Sequence, residues 1–252
     1  MTQTDRWVKL EGADNVRDVG GLPLRDGGRT RSGVLLRSAT LHYLTAADVQ
    51  YLVHEFGLRL VLDLRRPEEI DRDGPTAVAD AGVETVGLTF IGEGRESLPE
   101  HPDDDIDPML RNYLLYLSDQ PGNVIAAVRR LAAADGGPAL VHCLAGKDRT
   151  GTLVALVLDA IGVERDAVVA DYVLSSVQIE AMFRRWTTAS GEEMPDDLSA
   201  HTPRAAVMAT MLARLDAEYG ENGAGGAEGW LRKNGISDDE LDSLRARLTV
   251  SV

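Results

Sequence analysis

The sequence predicts an α/β fold: a central, mainly parallel sheet flanked by helices, with a C-terminal helical layer. Three observations carry that expectation. Strand-like and helix-like stretches alternate along most of the chain. One strand candidate, Leu58-Arg-Leu-Val-Leu-Asp-Leu64, is almost continuously apolar, as a strand covered on both faces is. Another, Ala139-Leu-Val-His142, runs through a small-residue loop into an apolar helix from Leu153 to Ile161.

In chain order, Asn15 to Gly21 reads as a glycine-ended turn and Gly33 to Ser38 as a strand. Thr45-Ala-Ala-Asp48 has the form of a capping box, opening a helix with Val49, Leu52, Val53 and Phe56 on one face. The apolar strand 58–64 follows, ending in Asp63 and Arg65, which stand where ligands bind in such sheets. Pro67-Glu-Glu-Ile begins a short helix, and Val83 to Leu88 is a further strand.

Residues 89 to 107 are rich in glycine, proline and acids and read as a loop, with Asp103, Asp104, Asp105 and Asp107 clustered at its end. Helices are predicted over Met109 to Leu117 and Asn123 to Ala134, the second broken by Gly136-Gly-Pro. After the strand at 139–142 and its helix the chain is all helical. Stripes occupy Arg165 to Ser175, Val177 to Trp186 and Val207 to Tyr219, and Ser237-Asp-Asp-Glu240 caps the last helix. A single domain over 1–252 follows, its core at about 10–175 and its helical C-terminal part at about 176–252.

Composition narrows the function classes. The formal net charge of −15 argues against nucleic acid as a partner and against unaided adhesion to an anionic membrane. No apolar run approaches spanning length, so no stable membrane insertion is expected, and no basic-then-apolar leader is read at the start. The expected compartment is the cytoplasm, where a single reduced cysteine is at home. His42, His54, His101 and His201 lack metal-ligand spacing, so neither a metal nor any other cofactor is assigned.

Cys143 is the only cysteine in the chain, which excludes a disulfide or a multi-cysteine metal site. It stands in a loop that opens a helix, where unpaired backbone N–H groups and the positive end of the helix dipole converge. Ala145 and Gly146 let those amides approach an anion, and Arg149 can offer a two-pronged fork to phosphate oxygens. The same groups favour the thiolate of Cys143, a nucleophile aimed at phosphorus. A buried, inert cysteine is the plain alternative. It leaves Lys147, Asp148 and Arg149 crowded on one turn without a reason. A nucleotide-binding loop is excluded, because Asp148 replaces the required Ser/Thr and Val141 stands at the first glycine.

His142-Cys143, five residues, then Arg149-Thr150 resembles the signature of the protein-tyrosine-phosphatase superfamily. The string from His142 to Gly151 is similar to that of its atypical bacterial branch, whose members act on phosphotyrosine, phosphoserine/threonine and phosphoinositides. Asn15 to Gly21, Leu62 to Arg65, Asp171 to Ser175, Leu215 to Gly220 and Trp230 to Gly235 also resemble that branch. The resemblance implies a phosphotyrosine-phosphatase-like fold and a phosphomonoester hydrolase working through a phosphocysteine. Cys143 and Arg149 would be catalytic, with Leu144, Ala145, Gly146, Lys147 and Thr150 binding substrate. Thr150 would hydrogen-bond the sulfur, and His142 would orient the loop backbone. Arg17 and Asp18 become candidates for framing the pocket, beside the reading of a salt-bridged turn. Relatives also suggest a two-helix lid over the loop, and some leave the cell without a cleavable signal.

For the general acid two sources compete: Asp148, whose counterpart holds that role in the branch, and the upstream acidic cluster. Asp148 is favoured, since an idle carboxylate beside a phosphate cradle would repel substrate. The expected substrate is a phosphorylated protein, phosphotyrosine first, with phosphoinositide as the alternative. Inositol-lipid members carry a lysine directly after the cysteine, where this chain has Leu144. Arsenate reduction lacks partner cysteines here, and a phosphoprotein-binding pseudophosphatase would normally have lost Cys143 or Arg149.

Overall fold

The computed structural model describes residues 6–92, 94, 106–133, 137–191, 193–220 and 225–250. Its sheet is explained by the alternation of side chains along three strands, β3 (Leu35–Ser38), β4 (Leu60–Asp63) and β6 (Ala139–His142). Leu35, Ala139 and Leu60 lie in register across the sheet, as do Leu36, Leu140 and Val61 one residue on. The first row and Leu62 and Val141 enter the larger hydrophobic core, while the second row enters a smaller core on the opposite face. Both faces are therefore covered, which is why these strands read as continuous apolar runs.

With β1 (Arg17–Asp18) and β5 (Glu84–Gly87) the spatial order is β1-β3-β6-β4-β5. The last four run parallel, and β1 alone pairs antiparallel with β3. The fold class is the expected one, with the correction that the turn read at Asn15–Gly21 contains a strand. A two-stranded ribbon joins β2 (Arg29–Thr30) to β7 (Thr249–Val250). Because β3, β6 and β4 end in register at Ser38, His142 and Asp63, their carboxyl ends make one shelf, and the loop after β6 starts at its centre.

Helix α1 (Ala46–Gln50) starts at the Thr45–Asp48 capping box and continues as a π-helical turn, Tyr51–Glu55. It covers the smaller core through Leu52 and Val53. Short helices α2 (Pro67–Asp73) and α3 (Ala77–Asp80) link β4 to β5. On the other face lie α4 (Pro108–Asp119), α5 (Pro121–Ala132), α6 (Asp148–Ala160) and α7 (Arg165–Val173). Every α6 residue from Arg149 to Ala160 is buried. An all-round buried helix must be packed on every side. The sheet and α4 and α7 cover part of it, and α10 (Gly226–Lys233) another part.

A 3₁₀ turn, Leu174–Gln178, separates α7 from α8 (Ile179–Ser190), so the helix predicted to Ser175 ends two residues early. The C-terminal layer comprises α9 (Ala205–Tyr219), α10 and α11 (Asp238–Leu248), and its Met208, Met211, Trp230 and Leu244 join the same core as Leu62 and Val141. Helix α10 was not among the predicted helices. A Cβ on Gly226 would lie 2.1 Å from the Leu215 carbonyl carbon, so the glycine is what lets α10 seat on α9. Among the described residues no helix is long and apolar enough to cross a membrane.

Candidate active site

The loop between β6 and α6 spans five residues, Cys143 to Lys147, and its Leu144, Ala145 and Gly146 carbonyls are held by donors outside it. Thr40 N donates to Leu144 O at 2.9 Å. Asn15 Nδ2 donates to Ala145 O at 3.1 Å and Gly146 O at 3.2 Å. Arg37 Nη2 donates to Gly146 O at 2.8 Å. In a trans peptide the N–H points opposite to the C=O, so the amides of Ala145, Gly146 and Lys147 face the other way, into the space above Cys143. At that point a helix dipole also ends. Gly146 has φ 63°, and a Cβ there would meet Ser38 O at 2.1 Å, so only glycine brings the loop this close to the end of β3.

Arg149, on the first turn of α6, is locked from one side. Nη1 donates to Leu64 O at 3.1 Å and Glu69 Oε2 at 2.5 Å, and Nη2 to Glu69 Oε1 at 3.0 Å. Three of its five donors are thereby spent, and the remaining N–H bonds, on Nε and Nη2, form the side fork suited to two phosphate oxygens. Burial opposes the charge, but the Glu69 hydrogen bonds and the nearby Cys143 outweigh it and hold the guanidinium above its usual value. Thr150 Oγ1 is fully buried and has no hydrogen-bond partner among the described residues, so the expected bond to sulfur is not made in this structure. His142 is fully buried, its Nδ1 3.1 Å from Cys143 O, and burial holds it below its ordinary value. It braces backbone, as expected.

Behind the loop three arginines share one carboxylate. Asp171 meets Arg6 and Arg37 at 2.8 Å and Arg17 at 3.3 Å, all buried. Burial and the neighbouring Arg37 pull the Arg17 guanidinium down to about 9, against the attraction of Asp171. Arg17 also bonds Asn15 Oδ1 and, at 3.1 Å, Ser175 Oγ, so the cluster fixes the Asn15 amide that holds the loop. Arg17 and Asp18 thus do not frame the pocket. Asp18 accepts from Gly20 N and Gly33 N and braces a turn. Asp63 and Arg65 likewise pair with each other, at 2.7 Å, instead of lining the rim.

Asp148, the first residue of α6, accepts from Tyr113 Oη at 2.7 Å through Oδ1. Lys147 Nζ lies 3.4 Å from the same oxygen and donates to His201 O at 2.6 Å. The lysine is therefore engaged between the loop and the turn Ser199–His201. Asp107, the described member of the rival acidic cluster, caps α4 through Met109 N and pairs with Arg204 at 2.7 Å. It does not line the cavity. Asp103, Asp104 and Asp105 lie outside the described residues.

Cys143, Asp148 and Arg149 line one cavity of about 590 Å³. Tyr43 lies on one wall, and Ile179, Met182, Phe183 and Trp186 of α8 form the other, with His201 beside them. Instead of the expected pair of helices, one helix and a short turn cover the loop. The other cations of the lining are paired: Arg72 with Asp73 at 2.6 Å and Arg185 with Asp14 at 2.6 Å.

Sequence reading missed Glu69, Tyr113 and Arg37, and it placed Asn15 and Asp171 in segments resembling the family without giving either a role. Arg37 did leave a trace, as a charge inside an otherwise apolar strand, and Glu69 as the third residue of a helix start after an Asp-Leu-Arg strand end.

Comparison with known proteins returns one family. The chain matches the tyrosine phosphatase family over residues 8–250. It is similar to the triple specificity protein phosphatase PtpB of Mycobacterium tuberculosis, 30% identical over 289 residues, covering 95% of this chain and 98% of PtpB. A tyrosine-protein phosphatase of Nostoc commune is 29% identical over 221 residues, 84% of this chain and 73% of its own. Among solved structures, the core catalytic domain of the S. cerevisiae PP-IP phosphatase SIW14 aligns with 68% of this chain and 95% of its own, at 16% identity and a TM-score of 0.36.

Proposed function

The chain belongs to the tyrosine phosphatase family, and from that premise we propose a cysteine-dependent phosphomonoester hydrolase that prefers phosphotyrosine in proteins. The observation that carries this reading is the cavity itself. It holds Cys143 and Arg149, and Tyr43, Ile179, Met182, Phe183 and Trp186 give it an aromatic and apolar surface suited to an aryl ring.

In the first step Cys143 Sγ attacks phosphorus, the S–P bond forms and the P–O bond to the tyrosine breaks. Asp148 gives its proton to the departing oxygen. The loop amides and Arg149 hold the equatorial oxygens, where charge gathers in the transition state. Water then cleaves the phosphocysteine, with Asp148 taking the proton.

Phosphoserine and phosphothreonine stand second, supported by the triple specificity in the name of PtpB. Phosphoinositide stands third. A further phosphate on an inositol ring would need an unengaged cation at the rim, whereas Arg72, Arg185 and Lys147 are engaged.

The test compares kcat/KM on a phosphotyrosine peptide, the matching phosphoserine peptide and a short-chain phosphatidylinositol phosphate, for the native chain and Cys143→Ser. The peptide with phosphotyrosine should lead by at least about tenfold, or about 1.4 kcal/mol. Cys143→Ser should abolish all three activities while still binding phosphotyrosine, a hydroxyl being far less ionised than a thiol. A lead for the inositol lipid would reverse the substrate order, and turnover by the serine variant within tenfold of the native rate would sink the mechanism.

A further inference from the structure

Tyr113 lies on α4, fully buried and absent from the cavity lining, yet its hydroxyl reaches Asp148 Oδ1 at 2.7 Å. The Tyr172 hydroxyl of α7 stands 2.7 Å from the Tyr113 oxygen, and the two rings meet edge to face with centroids 6.0 Å apart. Tyr172 Oη in turn approaches Met109 Sδ at 3.4 Å. An ionised carboxylate carries no proton, so in the Asp148–Tyr113 pair the phenol must donate. Burial, then the charge of Asp148 and the neighbouring Tyr172, hold the Tyr113 phenol well above its ordinary value, and it stays a donor across the working pH range. The Lys147 ammonium approaches the same oxygen, Oδ1.

We infer that Tyr113 is a positioning residue for Asp148, fixing the carboxyl through Oδ1 so that the proton delivered to the leaving group rides on Oδ2. The inference rests on the reading of Asp148 as general acid. The terminal torsion of an aspartate is broad and nearly two-fold, so an unheld carboxyl would present either oxygen. Placing the proton on Oδ1 would face it against a phenol already donating there. On Oδ2 it is free to leave: the Oδ2–H bond breaks as the new O–H bond to the tyrosine oxygen forms and the P–O bond opens. Water returns the proton in the second step.

The other charged and titratable groups that line the cavity with this carboxyl are Cys143, Lys147 and Arg149, Tyr43, Arg72 and Asp73, Asp14 and Arg185, and His201. The Arg37 charge adjoins Tyr172, whose hydroxyl also meets the Arg204 backbone. Tyr113→Phe alters none of them and keeps the ring in the core.

The experiment measures kcat against pH for wild type, Tyr113→Phe, Asp148→Asn and the double variant, on an alkyl phosphate and on dinitrophenyl phosphate, whose leaving group departs without a proton. Tyr113→Phe should lower the alkyl-to-dinitrophenyl ratio of kcat about tenfold. It should also change the basic limb of the kcat profile on the alkyl phosphate while leaving that on dinitrophenyl phosphate in place. In the Asp148→Asn background it should change the ratio no further. If Asp148→Asn loses alkyl turnover while Tyr113→Phe moves neither ratio nor limb, Tyr113 is core packing and the inference falls alone. If Asp148→Asn spares the alkyl phosphate, the acid lies elsewhere and both readings fall. Should Tyr113→Phe fail to fold, Tyr172→Phe carries the test: the same shifts at smaller size support the chain of hydroxyls, and an unmoved ratio and limb overturn it.

Discussion

Glu69 grips Arg149 through both terminal nitrogens, at 2.5 and 3.0 Å, and thereby decides which edge of the guanidinium faces the cavity. The two residues come from different elements, α2 and α6, and both are buried. Burial would lift the Glu69 carboxyl, but the Arg149 hydrogen bonds and charge hold it below its usual range, so the pair stays ionised at neutral pH. Glu69→Gln keeps the size and removes the charge, leaving an amide N–H facing a guanidinium. The expected result is a fall in kcat/KM of roughly 10- to 100-fold, with a parallel loss of vanadate affinity, because the fork is no longer pre-aligned. Unchanged vanadate affinity would show that Arg149 finds its pose without Glu69.

Gly146 offers a sharper geometric test. An alanine there would sit at positive φ with its methyl 2.1 Å from Ser38 O, and neither constraint can relax without moving the loop from β3. The left-handed backbone alone costs about 1–2 kcal/mol for an ordinary residue. Gly146→Ala is expected to lower kcat by about 100-fold, as displacements near 1 Å do in a preorganised site, and to cost at least about 1–2 kcal/mol of stability. A variant with native kcat would mean that the loop amides do not set the rate.

What the sequence disclosed and what it concealed divide along a physical line. Cys143, Asp148 and Arg149 could be placed side by side because strand, loop and helix start are contiguous, and their expected roles came from the family resemblance together with that spacing. The strands were legible because two-sided burial leaves continuous apolar runs at 58–64 and 139–142. The residues that hold the loop in shape were not. Asn15 meets it across 131 positions, Arg37 across 109 and Glu69 across 80. Each is an ordinary polar residue until the sheet order brings it to the end of β6. Strand β1 escaped for a related reason: two residues carry no period, and its pairing with β3 is a tertiary fact. Lys147 was read as a phosphate ligand, yet its ammonium meets a carbonyl from the turn at 199–201, which no local pattern announced.

The cluster behind the loop makes a prediction about pH. Burial alone would raise the Asp171 carboxyl, but Arg17, Arg37 and Arg6 together force it far below its ordinary value. A depressed native value means that the group stabilises the fold fully above its unfolded value, near ~3.9, and that this contribution is lost progressively as pH falls below it. Removing the carboxylate leaves three buried guanidinium groups without their counter-ion. Asp171→Asn should therefore cost about 3–5 kcal/mol at neutral pH. Between pH 4 and pH 3 the gap between variant and wild type should narrow by about 1 kcal/mol, since only the wild type gains a proton at this position in its unfolded state. Urea unfolding of both proteins at neutral pH and through that acid range measures both quantities. The variant should also lose activity, because Arg37 and the Asn15 amide, held through Arg17, are what turn the loop carbonyls outward. A stability gap that stays constant down to pH 3 would show that Asp171 is not the counter-ion on which the three arginines depend.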